Sequence, residues 1–457
     1  MSRGTVTAGA SYLARRLVVG KREEVRVCGP DEDAVTLALE AAQRSIEVWG
    51  GDIESFDALY LAIGHGSFVE GPHAQFLIEG LGLSNTCSLS TFSGESLAGL
   101  SALISAMDAV ETGRMSIVLV IATEGGGARS GISPSAAAAA VIVEAVREGA
   151  SVSIEEVGQI SSVKFDRWRS SLNVAPSRGD NRYLQDRNIS EVQTLVDRII
   201  PESKWKTPIM TAFCGAHRNV RKEVLSLNPE LKDSGAGLGD YGTASPFLAI
   251  LEEISVPEAT EFLLLAQGTS RHVALRVSST GECSEKFLSD QGKHPILTEA
   301  GSIVAHEPKL SLPTYSPFYA RNCGELIRLD AAKCSHCDWV AFPASLRPIC
   351  PQCKQSSWNS YRLPRSGIVY SFTINRFLPS GFGDEMAFVL GELDDGNMFW
   401  APVSDLETTE IEIGLPVWLT VRRFSKQDGV PVYGMKFVGT DTWQSNRHGQ
   451  MHPERTA

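Results

Sequence analysis

A chain of 457 residues with 43% hydrophobic and 21% charged side chains is ordinary for a globular protein of two or three domains, each able to close its own core. Its formal net charge of −12 excludes a nucleic-acid role driven by phosphate contacts. The opening stretch MSRGTVTAGASYLARRLVV lacks the apolar core of a signal peptide, and no apolar run is long enough to span a bilayer. A cytoplasmic protein with no membrane contact is therefore expected. Nine cysteines, four of them in two close pairs, suit a reducing compartment with one metal site.

In chain order, DEDAVTLALEAAQRSIEVW reads as a helix capped by Asp33, and FDALYLAIG as the strand that follows. The acidic run Asp31-Glu32-Asp33 reads as a solvated helix start. FSGESLAGLSALISAMDAVETG is a buried helix, SIVLVIATE a strand, and the alanines at 136–140 let two halves approach closely. The pattern then recurs: helix SEVQTLVDRII, strand TPIMTAFC, helix VRKEVLSL, the glycine-rich turn GAGLGDYGTAS running into PFLAILEEI, and strand EFLLLAQG. Two topologically related α/β halves are predicted over residues 1–280. Residues 281–315 are polar, proline-bearing and without period, and read as a surface linker. A small domain follows, with the cysteine pairs and a helical segment within 316–362. Five short strands within 363–440 then suggest a small barrel in which Met386 and Met398 fill gaps. Residues 441–457 read as a disordered tail.

Cys334-Ser-His-Cys337 and Cys350-Pro-Gln-Cys353 are two C-x-x-C knuckles. Each turns two thiolates toward one point, and two knuckles complete a four-sulfur tetrahedral site. Four protein ligands leave no open position, so a structural zinc is expected, with His336 on the surface.

The stretches FYARNCGELIRLDAAKCSHC, CPQC, GIVYSFTINRF and VLGELDDG resemble the zinc-ribbon plus OB-fold domain found beside thiolase-superfamily enzymes. VCGPDEDAVTLALEAAQRSI, KFDRWRS and GDYGTASPFLAI are similar to the thiolase superfamily itself, in its hydroxymethylglutaryl-CoA synthase and ketoacyl synthase III branch. The resemblance implies an α/β fold of duplicated α-β-α-β-α layers, followed by a zinc ribbon and a β-barrel of OB type. It also implies a coenzyme A thioester as substrate, an acyl-CoA or acyl carrier protein as partner, and a homodimer or pairing with a thiolase-like chain.

In that family a cysteine opens the central helix, with glycine three and alanine six residues on. Gly99 and Ala102 hold those places here, which puts Ser96 at the nucleophile position. Helix-start N–H groups lower a thiol's pKa, but a serine hydroxyl needs an adjacent base. Aligning the family's H-x-x-N turn on FCGAHRN places Cys214 at the histidine and His217 at the asparagine, whereas a short gap restores His217 as the histidine. The second family asparagine falls on Asp240, and His65 stands where the synthases carry an acidic glutamate.

One reading is an acyltransferase, probed through Ser96 as acyl acceptor, His217 as base, Asp240 as its orienter and Cys214 as a relocated nucleophile that would face the same cavity. A second is a non-catalytic thiolase-like scaffold or partner subunit. A third is a retro-aldol lyase, with Tyr241 as its acid or base. His73, His272, His294 and His306 show no partner in the sequence.

Overall fold

The computed structural model describes residues 4–20, 24–66, 68, 70–125, 134–145, 151–168, 177–202, 208–215, 218–237, 239–255, 261–280, 285–292, 295–299, 324–344, 347–378, 384–427 and 430–440. His217, His294, His306 and the 441–457 tail lie outside them.

The large sheet is two five-stranded halves with one topology. In the first, strands Gly4–Leu13, Ala137–Ala145, Ile117–Glu124, Ala58–Ile63 and Ser88–Phe92 lie side by side. The first two junctions are antiparallel and the last two parallel. In the second, Ser151–Ser161, Arg271–Thr280, Glu261–Gln267, Ile209–Cys214 and Leu231–Gly237 repeat that order and those senses. The halves join where Val6 pairs with Val152.

Helices fill three layers around them: α1 (Ala34–Trp49) and α2 (His73–Leu81) outside the first half, α4 (Asn181–Glu202) and α5 (Arg218–Leu227) outside the second, and α3 (Ala98–Glu111) with α6 (Ser245–Ile254) between. The alanine strand shows why this closes. Ala138 and Ala140 pack with α1, and Ala137 and Ala139 with α3 and α6, so alternate methyls serve opposite faces of one strand. Two helix layers approach a central strand closely only over such small side chains. Among the described residues, no helix is long and apolar enough to cross a membrane.

Part of the expected linker belongs to the fold: Phe287–Leu288 pairs in parallel with Gly4–Leu13, and Ile296–Leu297 with Arg16–Val19. The expected helical segment is, among the described residues, one π-type turn at Gly324–Arg328. The last five strands, Ser366–Asn375, Met386–Leu393, Met398–Pro402, Pro416–Gln427 and Val430–Gly439, form a near-closed antiparallel sheet. A bridge from Val403 to Phe437 draws its ends together. Met386 is half-buried, but Met398 is exposed on the outer face and fills no gap.

The barrel is not a loose appendage. Val369, Val389, Leu419 and Phe437 share one core with Leu37 and Ala41 of α1 and Leu77 of α2. The acidic run departs from the sequence expectation here. Asp31, Glu32 and Asp33 are buried, because the barrel brings Lys436, Arg422 and Arg423 against them. Asp33 still caps α1 through bonds from the Val35 and Thr36 amides.

Candidate active site and metal centre

A polar cleft of about 190 Å³ opens at the C-terminal ends of the first-half strands. It is lined by His65, Glu95, Ser96, Glu124, Arg167, Trp168, Thr243 and Thr269, with Gly64 and Gly94.

Glu124 is the one charged residue of its strand, and its carboxylate is only 2% exposed. His65 lies two residues beyond the parallel neighbour Ala58–Ile63. Its backbone N–H donates to Glu124 Oε1 at 3.0 Å, and its Nδ1 makes a short contact with the same oxygen. That partner places a proton on Nδ1, and among the described residues Nε2 has no hydrogen-bond partner. Two glycines make room for the carboxylate: a Cβ at Gly64 would lie 2.0 Å, and at Gly242 2.2 Å, from Glu124 Oε2.

Ser96 is half-buried just ahead of α3, whose start is tied by Arg271 to Glu95, the Leu97 carbonyl and Ser101 Oγ. Ser96 Oγ accepts the Thr269 N–H at 3.0 Å, so its own proton stays available for transfer. The glycine three residues on has a physical reason: a Cβ at Gly99 would lie 2.4 Å from the Thr243 carbonyl, where α3 crosses the 242–244 turn. Thr243 Oγ1 is buried in the cleft wall with no partner among the described residues, leaving one hydroxyl for a ligand.

The other candidates fall elsewhere. Asp240 pairs with Arg167 at 2.9 Å and caps the Gly242 amide, so it is an anchor of the cleft wall rather than the orienter of an imidazole among the described residues. Cys214 does not line the cleft. It is fully buried, and burial together with the nearby Asp240 charge pushes its thiol far up, out of thiolate range at neutral pH. His217 follows the strand equivalent to the one before His65 but lies outside the described residues. Tyr241 bonds Arg26, and burial raises its phenol. Among the described residues, no hydrogen bond joins Ser96 to His65. The sequence reading passed over Glu124; its signal was a lone charge closing the run IVLVIATE.

His272 and His73 do have partners. His272 Nε2 lies 2.7 Å from Lys164 Nζ and 3.1 Å from Glu191 Oε2, and His73 Nε2 accepts the Phe68 amide. Lys164 also donates to Asn188 and Glu191, anchoring the segment that carries Arg167 and Trp168 to the cleft.

Outside the cleft lining, Cys334, Cys337, Cys350 and Cys353 place their sulfurs within 4.8 Å of one another, a set able to hold one metal ion. The two knuckles are built alike. Asp338 and Lys354, each just past a knuckle, take left-handed backbone, and their amides bond back to the carbonyls of Cys334 and Cys350. His336 is exposed.

The chain matches no protein-family model. Over 160 residues it is 29% identical to a hydroxymethylglutaryl-CoA synthase of Pyrobaculum calidifontis, covering 35% of this chain and 46% of that protein. It thus spans about half the length of the synthases it matches. A DUF35 domain-containing scaffold protein of Pyrococcus furiosus matches the C-terminal part, 33% identical over 123 residues and covered over 88% of its length. Among solved structures, Xanthomonas campestris OleA with bound lauric acid and lauroyl-CoA aligns over 60% of this chain and 99% of its own, with a TM-score of 0.52 at 16% identity. At that identity the likeness shows the fold alone.

Proposed function

Because the chain is a thiolase-superfamily protein that carries a DUF35-type domain in its C-terminal part, we propose that its cleft transfers an acyl group from a thioester, with Ser96 as acyl acceptor and the His65–Glu124 pair as base. The carrying observation is that this pair and the Ser96 hydroxyl open on one polar cleft. His65 takes the base role that the sequence reading gave to His217. In the first step Ser96 Oγ bonds the thioester carbonyl carbon as His65 Nε2 takes its proton. The carbon–sulfur bond then breaks, and the thiol leaves with that proton. Glu124 holds the Nδ1–H tautomer and stabilises the imidazolium between the two transfers. The ester would then pass its acyl group to a second substrate.

The donor is read as an acyl-CoA, in keeping with the lauroyl-CoA bound by the structural neighbour. Zinc suits the four-thiolate set, and its chemistry there is structural. Ser88–Phe92, the edge strand of the large sheet among the described residues and with Leu89 exposed, suits strand pairing with a second copy or a thiolase-like partner.

The test is intact-protein mass spectrometry of the full chain after incubation with acetyl-, 3-hydroxybutyryl- and lauroyl-CoA, beside Ser96→Ala and Glu124→Gln. An adduct absent from Ser96→Ala and slowed in Glu124→Gln supports the reading. No adduct from any donor on a folded, metal-loaded chain rejects acyl-serine chemistry in favour of a scaffold or lyase.

A further inference from the structure

The acidic run before α1 touches two parts of the molecule at once. On one side the barrel grips it: Lys436 Nζ lies 2.7 Å from Asp31, Arg422 Nη2 3.2 Å from Glu32 and Arg423 Nη1 3.6 Å from Asp33. The Arg423 amide also donates to the Asp31 carbonyl, and the Tyr433 hydroxyl to the Asp33 carboxylate. Every one of these side chains is buried. Although burial works against its charge, Asp31 is held well below the usual carboxylate range by Lys436 and Arg422.

On the other side, the same loop and the first residue of α1 press on the end of strand Ile117–Glu124. The Thr123 hydroxyl donates to the Ala34 carbonyl at 2.8 Å, and the Cys28 thiol to the Gly125 carbonyl at 3.0 Å. Gly125 is wedged at the meeting point: a Cβ there would lie 2.3 Å from the His65 carbonyl and 3.3 Å from Ala34 Cβ. Glu124 and His65, the two members of the cleft pair, thus stand directly on this corner.

We propose that the barrel is a positioning part of the cleft, in which Arg422, Arg423 and Lys436 act through Asp31–Asp33 and the first turn of α1 to hold the Glu124–Gly125 corner and, with it, His65. The inference rests on reading His65–Glu124 as the working pair. A buried carboxylate that loses its cation must find water, and the loop carrying it must move to do so. Close packing leaves no slack between that loop and Gly125, so the movement reaches His65. The three cations are positioning residues; none of them lines the cleft among the described residues.

The test uses the full chain labelled with ¹⁵N-histidine, with His65→Gln assigning the signal. It reads the imidazole rather than acylation, so a failure of the acyl-serine reading leaves it interpretable. Arg422→Met is expected to shift the His65 ring-nitrogen resonances and to speed exchange of its amide hydrogen, which Glu124 accepts, by roughly tenfold or more. Arg422→Lys should largely restore both. Val417→Ala opens the buried barrel core without touching a carboxylate, and is expected to lower Tm while leaving His65 unmoved. If Arg422→Met does not fold, Lys436→Gln is read by the same criteria. His65 signals unchanged in the folded joint variants, or moved equally by Val417→Ala, overturn the proposal.

Discussion

The two halves of the large domain each hold a carboxylate beside an imidazole, and the two pairs have opposite characters. His65 and Glu124 open on a cleft, with the imidazole 14% exposed. Glu191 stands on α4 and His272 on the strand beneath it, with the imidazole 1% exposed and Lys164 inserted between ring, carboxylate and Asn188. Burial, with the Lys164 charge adding to it, pushes His272 down to about 4. Burial would raise Glu191, but bonds from Lys164 and Arg187 outweigh it and bring the carboxyl down to about 2. The second pair is thereby a neutral ring beside a fixed ion pair, with both partners held out of solvent. A carboxylate–imidazole contact becomes a candidate base only where one ring nitrogen is left free and reachable.

Breaking the pairs in turn should separate these roles. Glu124→Gln is expected to slow acylation of Ser96 by roughly 10²–10⁴-fold with little change in unfolding midpoint, read by time-resolved intact mass. Lys164→Met should do the reverse in kind, costing about 3 kcal/mol of stability in urea unfolding because Glu191 stays buried beside a neutral imidazole, with the half-exposed Arg187 as its remaining cation among the described residues.

The pH dependence sharpens the contrast. The folded pKa of His272 lies below its ordinary value of 6.5, so the unfolded chain binds the extra proton, and stability falls as pH drops from 6.5 toward 4. The slope from this one group approaches about 1.4 kcal/mol per pH unit. His272→Gln keeps an acceptor for Lys164 and should flatten that window. His73, also lowered by burial, contributes to the slope that persists. Glu191 contributes stability present above pH 4.5 that is lost as pH falls toward 2. The smallest effect is expected for Gly242→Ala. Its φ of +52° and the crowded Glu124 carboxylate cost about 1 kcal/mol, and the carboxylate is pushed off His65, detectable as a change in the His65 ring-nitrogen shifts.

Much of the scaffold was legible. The strand before His65, the helix behind Ser96 and the cysteine knuckles announced themselves by period and spacing, because local backbone preference and metal-ligand geometry act over a few residues. The acidic partner of the site was not. Glu124 sits 59 residues from His65, and nothing local marks a carboxylate at a strand end as buried and paired. Asp31, Glu32 and Asp33 misled in the opposite way: a helix start rich in acids is solvated by default, and only partners 373 to 405 residues away in sequence bury it.

By itself the sequence determined the alternating α/β elements and the four-cysteine spacing, since each depends on periodicity or short spacing, while the layered arrangement and the place of Ser96 were what the family resemblance implied. The tertiary structure decided which titratable groups face one another. It set His65 against Glu124, sealed Cys214, gave Asp240 to Arg167 and locked the acidic run under the barrel. Those choices rest on burial and charge pairing between distant segments, which take their value from the dielectric and geometry of the folded chain and from nothing written locally.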